Sequence, residues 1–187
     1  MKRVSSTQEH SLCVQPAFLI GTYNEDDTPN FCPITWVSAT FGNEGYMLVI
    51  SMNGSKKTKE NVERTGLLSA NLVSTDMLEM LDYFGASTGL DGQKTGVAFD
   101  YEDGQKLHVP TLDKSRWVYE CSVVNKTQNG DTTTYFCKMD NVQIPEEMKG
   151  AHGLRGIDLT RLDPMIYSGM YHSIGNLLGG IGDFYKP

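Results

Sequence analysis

The sequence predicts a mainly β fold, an antiparallel barrel or sandwich with short helical insertions, on three observations. Runs of β-branched and aromatic residues recur, joined by glycine-rich connections at hairpin spacing. Nineteen glycines and nine tyrosines favour turns and strands over a helical bundle. Only two helical stretches are evident, and both are short. The 187 residues suit one domain, 1–187, able to bury a core without metals or disulfides.

Taken in order, Cys13 to Tyr23 reads as a strand, because Phe18-Leu19-Ile20-Gly21-Thr22-Tyr23 is rich in β-formers. Asn24 to Asn30 is a turn by composition. Ile34 to Phe41 and Tyr46 to Met52 form a hairpin across Gly42-Asn43-Glu44-Gly45. Ser55 is placed to cap a helix from about Lys56 to Arg64, which Gly66 ends. Leu67 to Val73 is a short strand. Thr75 to Tyr83 is a second helix, with an apolar stripe of Met77, Leu78, Met80 and Leu81. Gly85 to Gly104 is a long glycine-rich loop, a length that usually serves function. Trp117 to Val124 and Thr132 to Gln143 form a second hairpin around turn residues 125–131. Met165-Ile166-Tyr167 is a short last strand. The tail, with Gly179-Gly180-Ile181-Gly182, follows no strand and reads as flexible.

The net charge of −7 argues against a nucleic-acid partner, which needs clustered Lys and Arg. The four cysteines, Cys13, Cys32, Cys121 and Cys137, are widely spaced, with no CxxC and no zinc or iron–sulfur pattern. They permit two disulfides, but a reduced chain is favoured. Cys32 beside Pro33 reads as a packed thiol before a redox group. The N-terminus lacks the apolar segment of a signal peptide, and no run approaches a membrane span, so the expected location is the cytoplasm, with no membrane partner. His10, His108, His152 and His172 are scattered without ligand spacing, so no metal site is expected. No GxSxG, GxGxxG or P-loop occurs.

The informative segment is Asn30 to Asn61. A helix N-terminus offers free N–H groups and a partial positive charge. Ser51 ends the strand before it, and Ser55-Lys56-Lys57-Thr58 opens it, a set able to hold one phosphate. Thr58 and Asn61, three apart, share a helix face. By spacing alone, a capped surface helix with solvated lysines is the simpler reading and the phosphate site the alternative. In Thr35-Trp36-Val37-Ser38, alternation puts Thr35 and Val37 on one face and Trp36 and Ser38 on the other. Such a strand offers a planar ring an apolar bed with uncharged donors and acceptors. It also fits a plain amphipathic strand with Trp36 in the core.

In this order, PNFCPITWVSAT, YMLVISMNGSKKTKENVERTG and LLSANLVSTDMLEMLDYFGASTG resemble the flavin-reductase-like, FMN-binding split-barrel family that includes the flavoredoxins. The likeness covers roughly residues 15 to 145 and is sharpest from 30 to 90, with Val73 standing where the family pattern has Pro. It implies a six-stranded Greek-key split barrel, a homodimer, and FMN near the subunit interface. It implies that Thr35, Trp36, Val37 and Ser38 line the flavin ring and that Ser51, Ser55, Lys57, Thr58 and Asn61 hold the phosphate. Ser87, Thr88, Gly89 and Lys94 would close over the cofactor, with Tyr171 near the ring. Many relatives carry Gly-Asp-His in a late hairpin, associated with nicotinamide use. Here Gly130-Asp131-Thr132 stands there, which lowers the expectation of direct NAD(P)H oxidation and raises that of a redox partner protein.

The resulting expectation is an FMN-binding oxidoreductase in which the cofactor does the chemistry and no side chain is catalytic. A non-enzymatic FMN carrier or sensor is the alternative. An interaction domain that has lost its cofactor is a third, disfavoured by the intact Ser51, Ser55, Lys57, Thr58 set.

Overall fold

Alternating side chains roll one antiparallel sheet around a barrel interior. The computed structural model describes residues 3, 5, 12, 14–90, 96–148 and 157–176. Among these the strands are β1 (Gln15–Pro16), β2 (Phe18–Tyr23), β3 (Pro29–Ile34), β4 (Val37–Gly42), β5 (Gly45–Met52), β6 (Leu67–Leu72), β7 (Tyr101–Asp103), β8 (Pro110–Leu112), β9 (Val118–Asn129), β10 (Thr132–Gln143), β11 (Met165–Tyr167) and β12 (Tyr171–Ser173). The helices are α1 (Lys57–Thr65), α2 (Leu78–Ala86) and the four-residue α3 (Leu159–Leu162).

The main sheet has seven strands in the order β3-β2-β6-β9-β10-β5-β4. Its two outermost strands are consecutive in the chain. Only Thr35 and Trp36 separate the end of β3 from the start of β4, so the sheet must curl until its edges meet. The Ser51 N–H donates to the Trp36 carbonyl at 3.0 Å and ties this seam to β5. A three-stranded sheet, β1-β11-β12, and a two-stranded one, β7-β8, complete the architecture.

The expected split-barrel class is the observed one, with seven strands in the main sheet where six were expected. The additional strand is β3, whose first residues read as turn because of Pro29 and Pro33. Both prolines are tolerated because β3 pairs only with β2 and needs no donors on its other side.

Phe18 and Ile20 point into the barrel with Ile34, Leu48, Ile50, Leu68, Cys121, Tyr135 and Cys137. Leu19, on the opposite face of β2, joins Phe31, Val73, Met77, Met80, Leu81 and Phe84 in a second core under α2. Burial of β2 on both faces explains its continuous apolar run. Each such side chain contributes about 1.5–3 kcal/mol relative to exposure. In α2, Phe84 replaces Leu78 in the predicted stripe. Leu78 is exposed because residues 75–77 form a 3-10 turn that resets the helical phase.

The second hairpin is longer than expected. Residues 125–129 remain paired in β9, and the turn contracts to Gly130, with φ 57°, and Asp131. The polar stretch is exposed, and it is strand because it pairs with β10, which is held on its other edge by β5 and buries Thr133 and Tyr135. Cys32, Cys121 and Cys137 are free thiols, and Cys13 lies outside the described residues.

Candidate functional site

The opening of α1 is built by a strand that stops and a helix that starts without a cap. Lys56, not Ser55, is the N-cap residue, in extended conformation (φ −150°, ψ 137°), and no side chain caps the helix. The other end is closed normally by Gly66 in the left-handed region, its N–H on the Val62 carbonyl at 2.8 Å. Three lysines, Lys56, Lys57 and Lys59, crowd the positive end of the dipole, an arrangement unfavourable unless an anion joins them. Lys57 Nζ lies 3.2 Å from Glu60 in an exposed pair worth little. Lys59 Nζ donates to the Asp131 carbonyl at 2.9 Å.

The helix face shared by Thr58 and Asn61 is a buried one. Thr58 and Asn61 are each 1% exposed and lie over the β2–β3 hairpin. Asn30 Nδ2 donates to Thr58 Oγ1 at 2.8 Å and to Thr22 Oγ1 at 3.3 Å. Asn61 Nδ2 donates to Thr22 Oγ1 at 3.1 Å and to Asn24 Oδ1 at 2.9 Å. Sequence reading missed Thr22, Asn24 and Asn30, because nothing local signals that a turn asparagine and a strand asparagine will converge under a helix.

At the seam, Val37 packs against the barrel core, whereas Trp36 is 50% exposed and Ser38 is exposed. The reading of Trp36 as a core residue is therefore corrected: the chain leaves strand geometry at Thr35–Trp36 to pass between sheet edges, and the indole remains outside. Ser51 Oγ and Thr134 Oγ1 are 2.8 Å apart across paired strands. Ser38, Val49 and Phe136 align in one register row on the outer face of the sheet.

The β9–β10 tip reaches this region. The Asp131 carbonyl accepts from Gly54 N–H at 3.2 Å, and the Thr132 hydroxyl bonds Asn53 Oδ1 at 3.2 Å. The loop after α2 meets α1 from the other side. A Cβ on Gly89 would stand 2.6 Å from Asn30 Oδ1 and 3.2 Å from Lys57 Cβ, so only glycine allows this approach. Ser87 Oγ donates back to the Tyr83 carbonyl at 2.7 Å, and Thr88 Oγ1 accepts from Leu90 N–H at 3.2 Å.

The structure thus brings together Trp36, Ser51, the Ser55–Thr58 turn and Gly89. Lys94 lies outside the described residues. Tyr171 sits on β12, and its hydroxyl donates to Asp82 of α2 at 3.0 Å, so its partner belongs to α2 and not to this cluster.

Other chemically distinctive groups lie elsewhere. Burial pushes the Cys137 thiol up to about 12 and the Cys121 thiol well above its ordinary value, leaving both unreactive. His108 is raised by hydrogen bonding to Asp103 and Asp27, against a smaller burial effect, and stacks on Tyr23 at 4.5 Å. Among the described residues no group of three or more His, Cys, Asp or Glu is arranged to hold a metal. No helix among them is long and apolar enough to cross a membrane.

A sheet rolled so that consecutive strands form its two edges, with an uncapped helix opening beside the seam, defines a split-barrel protein. The model of the flavin reductase like domain matches residues 10–175, and the chain belongs to that family. Solved structures agree on the fold. Flavoredoxin of Desulfovibrio vulgaris (Miyazaki F) superposes with a TM-score of 0.86 at 19% identity, covering 98% of this chain and 99% of that one. A split-barrel-domain protein of Shewanella frigidimarina NCIMB 400, assigned as a flavin reductase, gives 0.76 at 23% identity over 88% and 84%. An FMN-binding protein from Thermus thermophilus gives 0.72 at 17% identity over 92% and 93%. No curated protein matches the chain in sequence.

Proposed function

We propose that this chain, as one domain, binds FMN non-covalently and passes electrons through it. The observation that carries the reading is the uncapped start of α1, crowded by Lys56, Lys57 and Lys59, next to the half-exposed Trp36. The donor set fits the group. First-turn N–H groups, the Ser51 and Ser55 hydroxyls and the Lys57 ammonium suit one phosphate, with Thr58, expected in the same set, buried against Asn30 beneath them. Thr35, Trp36, Val37 and Ser38 present an uncharged, partly apolar surface that suits a neutral tricyclic ring. A single phosphate cluster favours FMN over a dinucleotide. Ser87, Thr88 and Gly89 would border the site, with Lys94 and Tyr171 as further contacts, and Asn61 would act from beneath by fixing α1.

When bound, FMN would supply the redox chemistry, taking up a hydride or single electrons and releasing them to a second acceptor. The chain's own part is to bind, orient and shield. A second copy is the favoured partner, because Trp36, Phe41 and Tyr46 are large and exposed along the β4–β5 hairpin, with the last two rings in edge contact at 5.2 Å. The chain works in the cytoplasm in this reading, in keeping with its free thiols.

The electron source has two candidates. NAD(P)H could reduce the flavin directly, as in a reductase. The β9–β10 tip favours the other: its backbone and Thr132 clamp the turn before α1, and it carries no histidine. A flavoredoxin-like carrier fed by a partner protein follows, with a non-enzymatic FMN carrier or sensor as its limiting case. An anaerobic absorption spectrum separates them. Flavin bands that bleach promptly with NADH or NADPH identify a reductase. Bands that persist with nicotinamide and bleach with dithionite identify a carrier. A colourless protein that takes up no added FMN rules out the reading.

A further inference from the structure

We infer that Asn129 is a site of spontaneous deamidation, and that its conversion unshields a second one, Asn53, so that chemical ageing runs in a fixed order from the β9–β10 tip to the turn before α1. The chain holds two Asn–Gly pairs, Asn53–Gly54 and Asn129–Gly130. In such a pair the glycine nitrogen, once deprotonated by solvent hydroxide, reaches the asparagine side-chain carbonyl carbon with no Cβ in the way. A C–N bond forms there, the bond to the amide nitrogen breaks, and ammonia leaves with a proton from water. Water then opens the resulting succinimide at either carbonyl, giving aspartate or isoaspartate with no change of oxidation state. By sequence and by exposure the two sites are equivalent, for both asparagines are exposed and a Cβ on either glycine would meet open space.

Their hydrogen bonds are not equivalent. At Asn53 both reacting groups are held by the β9–β10 tip. The Gly54 N–H donates to the Asp131 carbonyl at 3.2 Å, so the nucleophile's proton is retained. The Thr132 hydroxyl lies 3.2 Å from Asn53 Oδ1, and since a hydroxyl both donates and accepts, it restrains this amide whichever way the amide is turned. At Asn129 neither group is held. The ladder ends at the Asn129–Thr132 pair, which leaves Gly130 and Asp131 as a two-residue turn with Gly130 at φ 57°. Gly130 engages its carbonyl, which accepts from Gln128 Nε2 at 3.1 Å, but among the described residues its N–H meets no acceptor and the Asn129 side chain no partner. Isoaspartate at 129 lengthens the backbone by one methylene directly before the turn, and so displaces the Asp131 carbonyl and the Thr132 hydroxyl that shield Asn53.

The test is peptide mapping by mass spectrometry of the purified protein held in mildly alkaline buffer, with isoaspartate counted by enzymatic methylation. Short peptides carrying each Asn–Gly pair supply the unprotected rates. Asn129 is expected to convert first, with Asn53 slower by about tenfold or more and accelerating only once Asn129 has reacted. Asn129→Ser, which cannot form the ring, is expected to keep Asn53 intact through the same period. Thr132→Val removes the restraining hydroxyl and is expected to speed Asn53 about threefold to tenfold while leaving Asn129 unchanged within about twofold. Asn53 reacting as fast as Asn129 would overturn the inference, as would survival of both asparagines over a period in which the peptides convert. An Asn53 rate that Asn129→Ser does not alter would overturn the fixed order. None of these outcomes depends on a bound flavin.

Discussion

Two parts of the molecule surround an anion position with hydrogen-bond donors, and they differ in who supplies the anion. At one, Glu120 on β9 is fully buried, and its carboxylate accepts from the N–H groups of Gln105, Lys106 and Leu107 at 3.1, 2.8 and 2.7 Å. Asn141 and Gln143 of β10 add side-chain amides at 2.7 and 3.0 Å. Burial alone would raise this carboxyl, but the donors prevail and hold it below its ordinary value. At the other, the start of α1 gathers N–H groups, hydroxyls and lysines with no side-chain cap. The same device is a structural rivet where the chain closes it with its own carboxylate and, in the function proposed above, a binding site where it does not. The contrast also locates rigidity: the rivet fixes the 105–107 loop to the barrel, whereas the helix start depends on the Asn30 network beneath it.

The largest effect should come from breaking the rivet. Glu120→Ala strands three N–H groups and two amides and should lower unfolding free energy by about 3–5 kcal/mol in urea. A loss below about 1 kcal/mol would show that water replaces the carboxylate freely. Because the Glu120 pKa is depressed in the fold, its contribution is present above the ordinary carboxylate value and is lost as pH falls through the folded value. The wild-type advantage over Glu120→Ala in thermal unfolding should therefore shrink in acid.

The open site should respond oppositely. Ser55→Ala with Lys57→Ala should weaken FMN binding by tenfold or more, about 1.4 kcal/mol or above. The same pair should change stability by less than about 0.5 kcal/mol, since both groups are at the surface and the Lys57–Glu60 pair is exposed. Undiminished flavin retention in this variant would remove the contrast between the two cradles. Trp36→Ala removes a half-buried indole and should cost about 1 kcal/mol of stability, and any flavin-dependent quenching that survives in it must come from Trp117.

The smallest effect belongs to His108. Its folded pKa is raised above the ordinary 6.5 by Asp103 and Asp27, so its stabilisation is complete below that value and disappears as pH rises through the folded value. In thermal unfolding, wild type should exceed His108→Asn slightly at pH 5.5, and the margin should shrink steadily as pH rises from 6.5 into the alkaline range. A constant offset across that range would assign the effect to the Tyr23 stacking instead.

Much of this arrangement was legible in the residues. The β-former runs placed β5, β6 and β10 closely, and SKKTK followed by Gly66 marked α1 to within one residue at either end, whereas the single strand expected from Cys13 to Tyr23 is two, β1 in the small sheet and β2 in the main one. What escaped reading was what only the rolled sheet creates. Thr35–Trp36 read as strand interior because propensity cannot see that two sheet edges meet there. Asn30 and Thr58 are 28 residues apart, and their contact depends on α1 crossing the β2–β3 hairpin. Glu120 sits in the apolar run VYECSVV, an anomaly visible in the sequence, but its partners at 105–107 lie in a loop without periodicity. Residues 125–129 carry turn composition yet are strand, because the barrel strand β10 supplies their pairing partner and the exposed end of β9 needs no apolar face.

The pairing of Ser51 with Thr134 spans 83 positions of the chain, and it sets an order of events during synthesis. As the polypeptide leaves the ribosome, β4 and β5 can fold back on each other at once, but β5 must wait for β10 before its second edge is covered. For the time needed to add those residues, a hairpin rich in Val, Ile and aromatic side chains presents an open edge, the kind of surface that recruits other nascent chains. Closure is therefore a late, non-local step and a slow one. Since Ser51 belongs to the closing strand pair and also to the proposed FMN site beside α1, flavin loading in that reading cannot precede completion of the barrel, and a flavin present during refolding should capture the closed state without speeding its formation.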